Sequence, residues 1–301
     1  MPANETIRIG TLAGGHDALS YIPQILGHGF ESFSLTWGWG KDCRQQDLPR
    51  LAADLRAKLG DAATISTIGI FGNPLTSEDD RKQWEHLIDN AHAFGTDLVA
   101  GFAGAMPDKA IHDQKEDFIR VWRPLAERAK AKNVRIAWEN CQMGGTWSHP
   151  NYNLAVNGDA WELLFDWVPL DNLGLEWEPC HQLCQLIDPL PQLRQWVKRV
   201  FHVHGKDATV YRDVVARNGI HGREPWCFHR TPGFGDTNWT DIVSELRRAK
   251  FTGSIDIEGW HDPVYRGELE MTGQVAALHY LKRCRTTFVA NPVEAKKGTG
   301  Y

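Results

Sequence analysis

Apolar and polar positions along the chain repeat with two periods in alternation. Short runs that are densely apolar, or apolar at every second position, read as strands; longer runs with an apolar residue every third or fourth position read as helices. The strand pattern occurs eight times, over residues 7–12, 32–37, 64–71, 98–102, 134–139, 173–178, 200–204 and 254–258. A helical pattern follows each, over 17–26, 48–59, 78–94, 114–131, 159–167, 190–198, 239–249 and 269–283. Ser77 three residues before Asp80, and Asp113 before Glu116, signal helix starts, while Gly60 and Gly95 signal stops. Eight consecutive βα units predict an α/β fold, a single (β/α)8 TIM barrel. No Gly-x-Gly-x-x-Gly opens the first helix, which argues against an open dinucleotide-binding sheet.

The interval from Gly205 to Asn238, after the seventh strand, predicts a long loop, and long loops in compact domains tend to be functional. The expected organisation is one catalytic barrel over residues 1–290 and a flexible polar tail over 291–301. A chain of 301 residues with 42% hydrophobic content can bury one large core. Basic residues number 33 and acidic 38, for a net charge of −5, with no like-charge block. That excludes a nucleic-acid footprint and favours a small neutral or anionic ligand. No run approaches a membrane span and the first ten residues lack a leader pattern, so a cytoplasmic protein without a membrane partner is expected. Six cysteines without a Cys-x-x-Cys pair read as free thiols. A homo-oligomer and a partner subunit both stay open.

Strand parity locates the chemistry. In the fifth run Val134, Ile136 and Trp138 face the helices, which leaves Arg135, Ala137 and Glu139 toward the axis. The sixth sends Leu173, Leu175 and Trp177 outward and Gly174, Glu176 and Glu178 inward. The seventh sends Phe201 and Val203 outward and His202, His204 and Lys206 inward; the eighth places Ser254, Asp256 and Glu258 on the axis. Four neighbouring strands thus each end on an ionisable residue, at the barrel end that carries active sites in this fold. Three carboxylates packed together repel one another unless a cation sits among them. Glu139, Glu178, His204 and Glu258 are therefore the expected ligands of one divalent ion. Oxygen-rich ligation with one imidazole suits Mn2+ first and admits Mg2+, Co2+ or Zn2+.

One layer deeper, Glu176, His202 and Asp256 are placed to orient these ligands, and His202 is also a candidate substrate contact. Lys206 is a candidate proton donor or electrophile and equally a salt-bridge partner for Asp207 or a nearby carboxylate. His229 and Arg230, before a Pro-Gly-Phe-Gly turn, are candidate substrate contacts, and His16, Trp37 and Asn73 follow early strands where a pocket wall would stand. Most of the 13 tryptophans are expected in the core, with Trp37, Trp147 and Trp177 near strand ends as stacking surfaces for a sugar ring, although the parity of Trp177 points it instead toward the helices.

The strand ends Trp138-Glu139-Asn140, Glu178-Pro179-Cys180-His181, His202-Val203-His204-Gly205-Lys206-Asp207 and Ile257-Glu258, with the turn from Pro232 to Trp239, resemble the xylose-isomerase-like barrel superfamily, the sugar phosphate isomerase/epimerase group. The resemblance implies the same four metal ligands and puts His181 against a substrate oxygen. It implies an isomerase or epimerase that takes a proton from the carbon next to a carbonyl of a sugar or keto-sugar. Glu139 and Glu258 would move that proton between the two faces of an enediolate. Epimerase-like members usually carry Asp where Glu178 stands, so this Glu-x-x-His form is nearer to xylose isomerase itself. The second metal of xylose isomerase is not expected, because its carboxylate pair is reduced to Asp207. A lyase acting on 3-keto-glycosides shares the first step and stays in view. An apurinic-site endonuclease resembles the turn after His229, but it needs an Asp where Cys227 stands.

Overall fold

The computed structural model describes residues 7–285, so the expected tail over 291–301 lies outside the described residues. In chain order the strands are β1 (Arg8–Gly14), β2 (Ser32–Gly38), β3 (Thr64–Phe71), β4 (Leu98–Gly101), β5 (Arg135–Glu139), β6 (Leu173–Trp177), β7 (Val200–Gly205), β8 (Asp207–Val210), β9 (Cys227–Arg230) and β10 (Ser254–Ile257). β8 and β9 pair with each other; the other eight close into a parallel barrel in which β10 returns to β1. The helices are α1 (Ala18–Ile25), α2 (Leu48–Leu59), α3 (Glu78–Asn90), α4 (Lys115–Ala131), α5 (Gly158–Trp167), α6 (Pro179–Leu183), α7 (Pro189–Trp196), α8 (Arg212–Asn218), α9 (Trp239–Arg248) and α10 (Glu270–Cys284). The predicted (β/α)8 TIM barrel is the observed fold. Among the described residues no helix is long and apolar enough to cross a membrane.

α9 shows why such segments are helical here. Trp239, Ile242, Val243 and Leu246 fall on one buried face, Asn238 accepts the Asp241 N–H at the start, and Arg247 and Arg248 sit in the last turn. Ser77 caps α3 as expected. Asp113 does not cap α4: the helix begins after Gln114, whose amide instead braces the backbone of Met106 and Lys109. The interval after β7 carries the β8–β9 ribbon and α8, and a short α6 follows β6.

A layer of rings fills the space between β4–β5 and the helices outside them. Trp122 meets Trp84 at 4.9 Å and Trp138 at 5.2 Å, and Phe118 lies 5.3 Å from Trp138 and 5.7 Å from Trp167, mostly edge to face. Inside the barrel one expectation fails. The β6–β7 register shifts between Leu175 and Glu176, so β7 carries an extra residue, and Phe201 turns inward against Leu98, Ala100 and Ala137 with the Arg135 guanidinium 5.0 Å above its ring. Gly174 makes the room, since a Cβ there would lie 2.5 Å from the Phe201 ring. Above that layer the interior is polar. Ser32 and Ser66 donate to Asp256, and Gly10 lets Asp256 approach β1, because a Cβ on it would stand 2.2 Å from the carboxylate.

Candidate metal centre

β5, β6, β7 and β10 deliver Glu139, Glu178, His204 and Glu258 to one point at the C-terminal mouth. One ligand atom from each lies within 4.8 Å of the others, and all four side chains are buried. Their backbones are laced together. Asn140 exchanges two hydrogen bonds with the Glu178 backbone, at 2.7 and 2.9 Å, and Asn153 donates to the carbonyls of Glu139 and Cys141. His204 turns Nδ1 toward Glu139 Oε1 (3.6 Å) and Glu258 Oε2 (3.4 Å), and Nε2 toward Glu176 Oε1 (3.2 Å).

The donor set leaves acceptors unsatisfied. Glu139 Oε2, both oxygens of Glu178, Glu258 Oε2 and both nitrogens of His204 are buried without a hydrogen bond, although Glu178 Oε1 lies 2.6 Å from His181 Nε2 outside hydrogen-bond alignment. Buried polar atoms in folded proteins are nearly always satisfied, and the other orphans among the described residues are scattered one to a residue. Orphans concentrated on four converging side chains fit a divalent ion, with His204 Nδ1 as its nitrogen ligand and the opposite nitrogen left for Glu176.

Charges around this point are ordered in layers. Burial pushes Glu139 up, against the pull of His204. Burial opposes ionisation of Glu258 as well, but the Lys206 ammonium, 2.9 Å away, with His204 and His261, holds it well below the carboxylate range. Beneath, His202 donates to Glu176 at 2.8 Å and to Asp256 at 2.7 Å. Burial again works against the charge of Glu176, yet His204 and His202 bring it down to about 2. Burial and the nearby Lys206 hold His181 well below the usual imidazole value.

A cavity of about 400 Å³ opens above the four side chains, walled by Trp39, Phe71, Phe102, Met143, Trp260 and His261 among others. His181, Lys206 and His229 reach it. Lys206 pairs with Glu258 rather than with Asp207, which instead accepts from Ala208 N, Thr237 N and Trp239 Nε1. Arg230 is turned aside onto Asp262 at 3.1 Å. His202 lies below the mouth, clamped between carboxylates, where it orients rather than touches a ligand. Trp37 and Trp147 do not wall this cavity, but Trp37 and His16 line a hollow of about 330 Å³ beside it that shares Trp39, Phe71 and Trp260. Trp37 is buried beside Phe94 and donates to Gln46, and Trp147 stacks on His112. Trp177 donates to Gln192 on the helix side, and Asn73 ties two loops through Ala105. Sequence reasoning missed Trp39, Trp260 and His261; the signal for His261 was the spacing Glu258-x-x-His261, which repeats Glu178-x-x-His181. A larger cleft of about 650 Å³ lies at the opposite end of the barrel, around Thr64, Asp97, Arg135 and Ser254, away from the gathered ligand atoms.

The family model described as xylose isomerase-like TIM barrel matches residues 23–284. The protein YfiH of Bacillus subtilis (strain 168) is 23% identical over 297 residues, covering 80% of this chain and 91% of its own. A xylose isomerase domain protein from Planctomyces limnophilus superposes with a TM-score of 0.71 at 16% identity, covering 93% of this chain and 97% of that one. D-psicose 3-epimerase from Clostridium cellulolyticum H10 superposes with a TM-score of 0.68 at 14% identity, covering 93% and 99%. Other similar folds are named as an L-ribulose 3-epimerase and as a probable 3-DHS dehydratase from Bacillus anthracis. At these identities the likeness is one of fold.

Proposed function

Because the chain belongs to the xylose isomerase-like TIM barrel family, we propose that it is a sugar or keto-sugar isomerase or epimerase using one divalent ion, Mn2+ for preference, on Glu139, Glu178, His204 and Glu258. The observation that carries the reading is the cluster of orphaned buried ligand atoms at the mouth. An ion held by Glu139, Glu178, His204 and Glu258 would supply Lewis-acid polarisation of a substrate carbonyl, which favours loss of the proton beside it.

The chain's own groups supply the rest. Glu258, kept ionised by Lys206, is the base that takes the carbon-bound proton, and Glu139, whose carboxyl burial pushes up, returns one from the other side. Lys206 and His181, 3.4 Å apart, face substrate oxygens. Trp39, Trp260, Phe71 and Phe102 give flat apolar faces that hold a sugar ring and exclude water, in a cavity of monosaccharide size. A small carbohydrate with no nucleic-acid or membrane partner goes with this reading, as do a cytoplasmic location and a single catalytic unit. The similarity to epimerases supports it. The dehydratase among the similar folds favours a second outcome, a lyase on 3-keto-glycosides, in which the same enediolate expels a leaving group.

The test is incubation of the Mn2+-loaded protein with a panel of keto-sugars, including 3-keto-glycosides, in deuterated water. Deuterium at the carbon next to the carbonyl is expected; release of the aglycone instead assigns the lyase. Cleavage of an abasic-site duplex, with no labelling of any sugar, overturns both.

A further inference from the structure

Beside the carboxylates the structure gathers a second group of ligands with opposite chemistry. Cys180 and Cys184 stand one turn apart on α6 and its C-cap, on one face. Cys227 and His229 stand two residues apart on β9, on one face of the β8–β9 ribbon. The two faces meet. Cys180 Sγ, Cys184 Sγ and a His229 ring nitrogen lie within 4.8 Å of one another, and Cys227 Sγ is 2.6 Å from Cys184 Sγ. Cys180 is fully buried and the other two thiols are half-buried, all of them free. The spacing hid this, since Cys180-x-x-x-Cys184 and Cys227 are brought together only when the ribbon folds back over α6.

We propose that Cys180, Cys184, Cys227 and His229 form a second, thiolate-rich metal site for a soft tetrahedral divalent ion such as zinc, independent of the carboxylate centre. Cys180, Cys184 and His229 converge as they stand, and the Cys-x-x-x-Cys pair has zinc-site spacing. Cys227 Sγ, 2.6 Å from Cys184 Sγ, is nearer than the roughly 3.7 Å between two thiolates on one tetrahedral ion, so it turns away from Cys184 to complete the four-coordinate set. The two centres therefore sort metals by softness: the carboxylates take the hard ion and the thiols the soft one. Binding is ligand exchange without redox change. Metal–sulfur bonds form, each ligating thiol gives its proton to solvent, and the ion sheds water. A disulfide between Cys184 and Cys227 would use two of the four groups and leave Cys180 and His229 converging for no reason. With a metal bound, the ribbon is pinned to α6, which fixes His229 over His181, whose ring lies 5.0 Å away at a right angle, at the wall of the mouth cavity.

Reduced, chelator-stripped protein is first saturated with Mn2+ and then titrated anaerobically with Cd2+. A thiolate-to-cadmium absorption that saturates at one equivalent is expected. It should persist in Glu139→Gln and vanish in the double variant Cys184→Ser/Cys227→Ser, with circular dichroism confirming that both fold. A parallel measurement needs no variant: Zn2+ should protect Cys184 and Cys227 of the wild-type chain from iodoacetamide, read by peptide mass. The proposal is overturned if no thiolate band forms, if the band survives in the double variant, if Zn2+ gives no protection, or if the isolated protein carries a Cys184–Cys227 disulfide that persists in reducing buffer.

Discussion

His202 is the perturbation whose consequence is best defined. Both ring nitrogens face carboxylates, Glu176 at 2.8 Å and Asp256 at 2.7 Å, so both must donate and the ring is an imidazolium. Its pKa is raised, burial being outweighed by Asp256 and Glu176. His202→Leu keeps most of the volume and removes the charge, stranding two buried carboxylates. Breaking such a buried pair costs roughly 3–5 kcal/mol, against a total stability of about 5–15 kcal/mol, and lowers the melting temperature by roughly 10 °C. Because the folded pKa lies above the unfolded one, the contribution is complete below the unfolded value and is lost as pH rises through the folded one. The wild-type and variant curves should therefore converge only on the alkaline side. Glu176 also faces His204 Nε2 at 3.2 Å, so loss of His202 frees the group that orients the metal's imidazole, and Mn2+ affinity should fall about 10–100-fold. Urea unfolding at neutral pH in chelator reads the first effect, and calorimetric Mn2+ titration reads the second. A variant within about 1 kcal/mol of wild type, or one with unchanged Mn2+ affinity, refutes the reasoning.

Glu139→Gln and Glu258→Gln should each lower turnover by about 10²–10⁴ while costing less in Mn2+ occupancy; equal loss of both in elemental analysis and rate assays would make them ligands only. Gly10→Ala should not yield stable protein, since its Cβ would stand 2.0 Å from the Ser32 carbonyl oxygen, and soluble expression with a wild-type melting temperature would count against the packing described. Burial pushes Asp207 up to about 6, so the protonated form is favoured in the fold and stability falls as pH rises from the unfolded value, near 3.8, through about 6. Asp207→Asn should flatten that fall in melting temperature against pH. Trp260→Ala should raise KM for the labelled sugar with little change in kcat, as loss of uniform ring contact does.

The barrel was legible because each βα unit declares itself locally, through period-two and period-3.6 patterns that tertiary packing does not override. The four candidate ligands were legible for the same reason: in β5, β6 and β10 parity runs unbroken from the apolar positions to Glu139, Glu178 and Glu258. Phe201 was misread because an extra residue early in β7 flips parity before His202 and restores it after, and nothing in Val200-Phe201-His202 announces the shift. Trp37 lines the hollow beside the mouth cavity rather than the cavity itself, because nearness to a strand end does not say which face a side chain takes. It follows Phe33 and Leu35 in parity and is buried with them. Trp39, at φ 51 and 62% exposed, stands in the loop beyond, where no periodicity applies. The thiol group was invisible for a topological reason, since its members come from a short helix and a ribbon that cross only in three dimensions.

Charge balance within the mouth supplies the strongest argument for unequal roles of the two outer glutamates. Five buried carboxylates, Glu139, Glu176, Glu178, Asp256 and Glu258, surround three buried bases, His202, His204 and Lys206. If His204 binds an ion through Nδ1, it is neutral, and two cationic side chains with a divalent ion leave one negative charge uncompensated. Buried charge without a partner is expelled by protonation, and the carboxyl that takes the proton is the one with the weakest local compensation. Glu258 has Lys206 at 2.9 Å and His261 at 3.1 Å; Glu176 and Asp256 share His202; Glu178 has only the uncharged His181 beside it, and its two free oxygens are left to the ion. Glu139 has only His204, at 3.6 Å, and burial pushes its carboxyl up. On the proposed reading Glu258 is thus the ionised base, and Glu139, held by fewer charged side chains, is the group that releases the ion and carries a proton during turnover, the two lying on strands that flank the two between them. A proton taken by Glu258 from one face of a substrate and one given by Glu139 to the other restores the same total charge, so inversion at carbon requires no net charge to enter or leave the barrel.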